Sequence, residues 1–591
     1  MLDVRTFGHK LTQSEYDTLI HIRRLVGGSV QYFHEADIKM GPRSFDELSA
    51  WPDLMLVDFM EMPNGRARLA RVLAILENGL AVHTDCSGKM TPEAVLLMLA
   101  VALRHQGFQL RDDWLGLWRA SDLAPECQEF IRNSTHRPMH LFNDFMGRQP
   151  HHAQIQLKHL RALPGASLAQ REIAHNTQVA YLEENKISLS QAFTGRNCLF
   201  HPDKDCKVNF TVPQCLDKPP MTMCIVGLPC RPFSTLGDRQ QLAHGDMEAI
   251  ALFKIEILKG DYDIVVIEES DHFPWELFCS LFPAHYVLRR CVFGPTDQGK
   301  PVRRTRFWGA AVNQKRAVWI GPESNDMLQQ DFLSLFGAAC QLDGDVYCKK
   351  DSQEGIKETV NVIAKRAGKY STDEQLADCD NWQTFLPQGF RSTFDAATAL
   401  WKGEVGEGRS VGMSGTMLAD LSQSPHRCRQ GPWVPTIARS SLLCSLSSHH
   451  ILTPAELDFA MGWPSIETKH NRDYAEALGL SGSLSGASSS VRRKLSGNGM
   501  DMGSVMAWFL YIFSNVMRKS VLEKLEMPLS KQNIENMRDD SDDELLSFGS
   551  QARKPHGSFG SVKQASDFLK ASFATDQEAS DYLTGWQSGA L

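Results

Sequence analysis

The feature that most constrains the fold is a short apolar run that breaks at the same kind of turn several times along the chain. The sharpest case is Met223-Cys224-Ile225-Val226-Gly227-Leu228-Pro229-Cys230-Arg231-Pro232-Phe233-Ser234. An apolar run of this length reads as a buried strand, and Gly and Pro then end it. Cys230 is delivered at the turn, ahead of polar residues. A thiol on a rigid turn near a helix start is a place where a protein can use a cysteine as a nucleophile, although many such cysteines are structural.

The same unit recurs. Gly79 through Asp85 reads as a strand, Cys86-Ser87-Gly88 as its turn, and Pro92 to Ala102 as a helix with Pro in its first turn. Leu115 to Ala120 is a second strand, followed by Ser121-Asp122-Leu123-Ala124-Pro125 and a helix through Arg132. Asp263 to Ser270 is a β-branched strand ending in Glu268 and Glu269, and Val287 to Phe293 is another. Strands alternating with helices predict a doubly wound α/β fold, in which ligands sit at the carboxyl ends of the strands. Asp122, at the end of the second strand, can accept from ribose hydroxyls or cap the following helix. Glu268 is either a ligand-facing acid or a solvated strand end. Trp118 is either a stacking surface or core. Arg304 and Arg306 share a face, which suits phosphate or a carbonyl oxygen, or simply a solvated edge.

These stretches resemble the motifs of the C5-cytosine methyltransferases, in that family's order, over about 440 residues from 80 to 517. Gly227-Leu228-Pro229-Cys230-Arg231-Pro232-Phe233-Ser234 is similar to the nucleophile motif, with Arg231 where the family usually has Gln. Gly88-Lys89-Met90 stands where it has Gly-x-Gly. Leu141-Phe142-Asn143-Asp144-Phe145 resembles the third motif, His244-Gly245-Asp246 the fifth, and Glu268-Glu269-Ser270 the Glu-Asn-Val motif. Val302-Arg303-Arg304-Thr305-Arg306 resembles Gln-x-Arg-x-Arg, with Val302 for Gln. Leu452 to Pro464 is similar to the ninth motif and Gly497-Asn498-Gly499-Met500 to the tenth.

The resemblance implies a doubly wound, Rossmann-like methyltransferase sheet with a smaller, irregular target-recognition domain. It implies S-adenosylmethionine as cofactor, held by Ser87, Gly88, Asp122, Asp144, Pro229 and Asn498. Cys230 would form a covalent adduct on a flipped cytosine, with Glu268, Arg304 and Arg306 completing the catalytic set. DNA is the implied partner. A tRNA substrate and a non-catalytic nucleic-acid-binding or scaffold member are the alternatives, the latter prompted by Met90, Arg231, Glu269 and Val302 standing at motif positions.

The expected organisation is an accessory segment at 1–76 and a catalytic domain at 77–318, with an insertion at about 146–218. A target-recognition domain at 319–433 and a return to the catalytic domain at 434–520 follow, with a disordered acidic tail at 528–591. Helical patterning opens the chain (Tyr16, Leu19, Ile20, Ile22, Leu25), and Ser481–Ser490 reads as a flexible Gly/Ser-rich link. Cys198, His201, Cys206 and Cys215 in the insertion have spacing that allows zinc, yet lack tight Cys-x-x-Cys repetition. A plain surface insertion with no metal ligand is the expectation.

Composition adds exclusions. The net charge is −8, and 521–591 alone carries 7 Lys and Arg against 12 Asp and Glu, so the remainder is near neutral and can hold a basic cleft. The 14 cysteines are scattered, which with the charged start of the chain predicts reduced thiols in the nucleus or cytoplasm. No apolar run approaches the roughly 20 residues that span a bilayer, so no membrane partner is expected.

Overall fold

A computed structural model describes residues 39–519, apart from Phe193, 207–218, 235–242, most of 350–378, 407–414 and three positions at 426–429. Cys215, the leading pattern at 16–25 and the acidic tail lie outside the described residues.

The main sheet has seven strands. They are β1 (Leu80–Asp85), β2 (Leu115–Ser121), β3 (His140–Phe142), β4 (Met221–Gly227), β5 (Ile264–Ser270), β6 (Tyr286–Phe293) and β7 (Arg306–Asn313), in the order β3-β2-β1-β4-β5-β7-β6. β1 to β5 run parallel, while β7 inserts antiparallel between β5 and β6. The fold is therefore the expected doubly wound α/β class. β1, β4 and β5 are almost wholly buried, as strands covered on both faces must be.

The strand order reverses between β1 and β4. At such a switch point the loops leaving two neighbouring strands part and open a crevice at their carboxyl ends. The two loops here are 86–90 and 228–234.

The sheet is covered by Thr91–His105, which starts at the expected Pro turn, by Met247–Gly260, and by Met502–Asn515, whose residues are all buried. A helix apolar all round belongs inside a core. Helices Trp51–Glu61 and Gly65–Glu77 pack on Met502–Asn515 and share its core, so 39–77 is part of the main body rather than an appendage. β8 (Ala317–Trp319) pairs with β13 (Val516–Arg518), which sews the returning chain onto the end of the sheet.

The smaller unit is a four-stranded sheet in the order β10-β9-β11-β12, built from β9 (Leu418–Asp420), β10 (Gln430–Gly431), β11 (Leu443–Ser445) and β12 (His450–Ile451). It has its own apolar cluster around Trp382, Leu386, Leu421 and Leu446. Two of its strands fall after the expected 433/434 boundary, and helix Asn325–Phe336 packs on β6 of the main body. The Ser481–Ser490 stretch also differs from expectation. Gly479 takes φ +55° and caps one helix, Leu480–Ser483 forms another turn, and Ser488 caps the helix Ser489–Asn498.

Candidate active site

Cys230 lies in the loop leaving β4, half-buried, with its carbonyl accepting from the N–H groups of Phe233 (3.1 Å) and Ser234 (2.9 Å). That tight turn explains the Pro-rich sequence. Arg231 makes a bidentate pair with Asp246 (2.9 and 2.7 Å) and so ties the loop to the start of helix Met247–Gly260.

Glu268 lies two residues before the end of the neighbouring strand, β5. Arg306 Nε donates to its Oε1 at 2.9 Å, and Arg304 Nη2 lies 3.6 Å from the same oxygen. The two arginines do face the same way. Arg304 is also held at depth: its Nη1 donates to the Ile437 carbonyl (3.3 Å) and its Nη2 to that of Gly499 (2.8 Å). Burial, with Arg306 beside it, lowers its pKa to about 10. Arg304 is thus an anchor between the active edge and the returning chain, and Arg306, half-buried, is the arginine better placed to meet a ligand.

The Cys230 thiol is pushed up to about 11. Burial is the main cause and Glu269 the next, while Arg306 and Arg304 pull the other way. Glu269 points into the opposite face, as alternation on a strand requires. It is fully buried, accepts from the Ser270 N–H (2.7 Å), and burial, with Glu268 adding to it, holds its carboxyl far above the usual range. Where the resemblance has Asn, this chain has a buried acid. Val302, in place of Gln, is wholly buried and bridges to Val434, so it serves packing.

The turn after β1 carries three residues with positive φ: Cys86 (51°), Gly88 (54°) and Met90 (57°). Met90 therefore keeps the left-handed backbone that a glycine would adopt there freely. Gly88 N–H donates to Asp122 Oδ2 at 2.8 Å, and Ala124 N–H donates to Oδ1 at 2.8 Å. Asp122 therefore closes the turn after β2; the helix that follows is capped at Ala124 without a side-chain bond, so the helix-capping reading does not hold. Each carboxylate oxygen retains a lone pair for a ligand hydroxyl. A Cβ on Gly88 would lie 2.6 Å from the Asn498 carbonyl oxygen, so Gly88 and Asn498 meet and only glycine fits.

The remaining candidates divide. Ser87 is occupied structurally. Its hydroxyl bonds the Ser121 carbonyl (3.1 Å), accepts from the Ser121 N–H (3.1 Å) and meets Thr84 (2.8 Å), pinning β1 to β2. Asp144 Oδ1 accepts from Gly147 N–H and so closes the turn after β3. Pro229 is half-buried, one residue before Cys230.

Two features of the site have no local signature in the sequence. Beneath the β1 turn, Asp85 pairs with Arg119 (2.8 Å) and Arg148 (2.8 Å), and Glu256 pairs with the same two (2.6 and 3.2 Å), all with no exposed side-chain surface. Burial alone would raise the Asp85 pKa, but the two guanidinium groups outweigh it and hold the carboxyl below its usual value. Lys89, also fully buried, pairs with Asp458 at 2.7 Å over the ring of Trp463. Charged residues inside apolar strands and helices were the available hint; their partners lie too far along the chain to be read.

The fold and site define a Rossmann-like α/β protein with a thiol at the switch point and a carboxylate and two arginines on the strands beside it. No family model and no curated protein matches the sequence. Among solved structures, the Dnmt2 methyltransferase of S. pombe is similar at 11% identity over 73% of this chain and 98% of its own, with TM-score 0.32. A mutant of Spodoptera frugiperda DNMT2 has 10% identity over 74% and 99%, with TM-score 0.31. The Entamoeba histolytica methyltransferase EhMeth has 11% over 74% and 98%, with TM-score 0.31.

Proposed function

We propose that this protein transfers a methyl group from S-adenosylmethionine to C5 of a cytosine in DNA, through a covalent adduct on Cys230. The observation that carries the reading is the convergence of Cys230, Glu268, Arg304 and Arg306 on one edge of the sheet, where β4 and β5 end and the antiparallel β7 begins.

The residues present fit the cofactor at the Asp122 carboxylate at the end of β2, which can accept from ribose hydroxyls, while the space a Cβ would take at Gly88 is filled by the Asn498 carbonyl. Bound there, the cofactor supplies an electrophilic methyl group. The protein's own residues do the rest. The Cys230 thiol gives its proton to water and its sulfur bonds C6, which breaks the C5–C6 π bond and moves electron density to C5 and the ring carbonyl side. Arg306 faces the charge that develops there, and Glu268 holds the N3 and exocyclic-amine edge. C5 takes the methyl group, then loses its proton to water, and the electron pair left behind restores the double bond and expels the thiolate. Cytosine inside a duplex cannot meet a thiol at its C6, so the base must leave the stack.

The test is a covalent trap. The protein is mixed with S-adenosylmethionine and a duplex carrying 5-fluorocytosine, whose fluorine blocks the final elimination. The expected result is a protein–DNA band that resists denaturation and disappears in Cys230→Ser. An adduct on RNA and not on DNA would move the substrate to tRNA-like molecules. No adduct on either, with no cofactor binding by calorimetry, would overturn the catalytic reading.

A further inference from the structure

His140 opens β3, the edge strand of the main sheet. The loop 194–206, from the insertion, lies along that edge, where Leu199 N–H donates to the Leu141 carbonyl at 2.7 Å. The loop is folded tightly. The N–H groups of Cys198 and Cys206 both reach the Gly195 carbonyl (3.3 Å each), and a Cβ on Gly195 would collide with the Cys206 backbone, 1.8 Å from its oxygen. This folding turns Cys198, His201 and Cys206 toward His140.

The ligand atoms of these four side chains all lie within 4.8 Å of one another. Cys198 Sγ is 3.5 Å from His201 Nδ1 and 3.9 Å from His140 Nδ1, and Cys206 Sγ is 3.5 Å from His201 Nδ1. In a tetrahedral zinc site, with Zn–N about 2.0–2.1 Å and Zn–S about 2.3 Å, adjacent nitrogen and sulfur ligands stand about 3.5 Å apart. The side chains are already spaced as the edges of that tetrahedron. Two thiols and two imidazoles are a soft donor set that selects zinc over magnesium or calcium.

From this geometry we propose that His140, Cys198, His201 and Cys206 bind a zinc ion that fastens the insertion to the edge of the sheet. With four protein ligands no position is left open, so the role is structural. Three ligands fall within nine residues, at spacing that allows zinc, but the fourth is His140 from β3, before the insertion begins, and not the Cys215 that the sequence offered with them. The clamp bears on the candidate active site at one remove. Beside it, Thr194 N–H donates to the Arg148 carbonyl (3.0 Å) and Asn197 to that of Gly147 (2.6 Å), and Arg148 belongs to the charge network under the β1 turn.

The experiment is elemental analysis of the full chain, expressed with added zinc and purified without chelators, followed by replacement of zinc with cobalt. One zinc per chain is expected, with cobalt giving the visible bands of a tetrahedral, two-thiolate site. Cys198→Ser and Cys206→Ser should lose the metal. His140→Ala should weaken binding by more than the roughly 10–100-fold that loss of an outer-shell partner costs. Cys340→Ser, remote from the cluster, should keep full occupancy. Because the cobalt spectrum is read on the unmutated chain, a variant that fails to fold does not block the test. A folded chain with no zinc and no tetrahedral cobalt spectrum would overturn the proposal. So would zinc that survives His140→Ala but is lost in Cys215→Ser, since the fourth ligand would then come from elsewhere.

Discussion

A nucleophile that rests protonated sets a measurable condition on the chemistry. Burial and Glu269 push the Cys230 thiol up to about 11, against the pull of Arg306 and Arg304. Iodoacetamide labelling of Cys230, followed by mass spectrometry, should therefore be slow at neutral pH and quicken about tenfold per pH unit until the thiol titrates. Arg306→Ala should slow it further at any fixed pH, because a cation that favours the thiolate is gone. A flat pH profile would contradict this. Glu269 makes a second case. Its folded pKa is raised, so its contribution to stability is complete below the unfolded value of about 4.3 and is lost as pH rises towards the folded one. Glu269→Gln cannot titrate. Its stability relative to the parent protein should improve as pH rises from about 4, at up to about 1.4 kcal/mol per pH unit, in urea melts at several pH values. A stability difference independent of pH would place the parent's Glu269 in its ionised form.

At the scale of the element, the turn after β1 shows one constraint kept and another exchanged. Gly88 at φ +54° has the Asn498 carbonyl in the space of a Cβ, so Gly88→Ala should both strain the turn and drive the two segments apart. We expect a loss of about 1–3 kcal/mol in thermal or urea melts, with cofactor binding lost in calorimetry. Met90 has the same handed backbone but a buried side chain, 3% exposed. Replacing it with Gly would relieve about 1–2 kcal/mol of backbone strain. Removing a buried methionine side chain costs about 2–5 kcal/mol, so Met90→Gly should destabilise the protein overall. The competition also marks how far the sequence could be read. The strands, their Gly and Pro breaks, and the placing of Asp122, Cys230 and Glu268 at strand ends follow from local pattern, because periodicity and turn chemistry are local. The binding of Ser87 to β2, the capture of Arg304 by carbonyls at 437 and 499, and the burial of Val302 against Val434 do not. Each is a contact between segments far apart in the chain, and no residue type announces its partner.

Across the whole molecule, the active edge is assembled from three stretches: 80–148, 221–306 and 434–500. One link between the first and the third is the Lys89–Asp458 pair, fully buried, with Ser496 donating to Asp458 at 2.6 Å and so bringing in the helix that ends at Asn498. A buried ion pair is poor evidence of net stability, since desolvation opposes it, but removing one partner leaves a charge stranded. Lys89→Met should therefore cost about 3–5 kcal/mol, and Asp458→Leu a similar amount. The double variant should recover part of that loss, because both charges go together. Urea melts of the four proteins give the coupling directly. If the pair's purpose is to bring the returning chain against the β1 turn, the double variant should recover stability without recovering cofactor affinity. Gly88 and Asn498 would then be held together by their own contact, by the Asn498–Cys127 bond and by the Arg439–Glu126 pair. Full recovery of both would mean that the pair fills space and nothing more. Additive losses would mean that Lys89 and Asp458 act through different neighbours, with Trp463 holding the first and Ser496 the second.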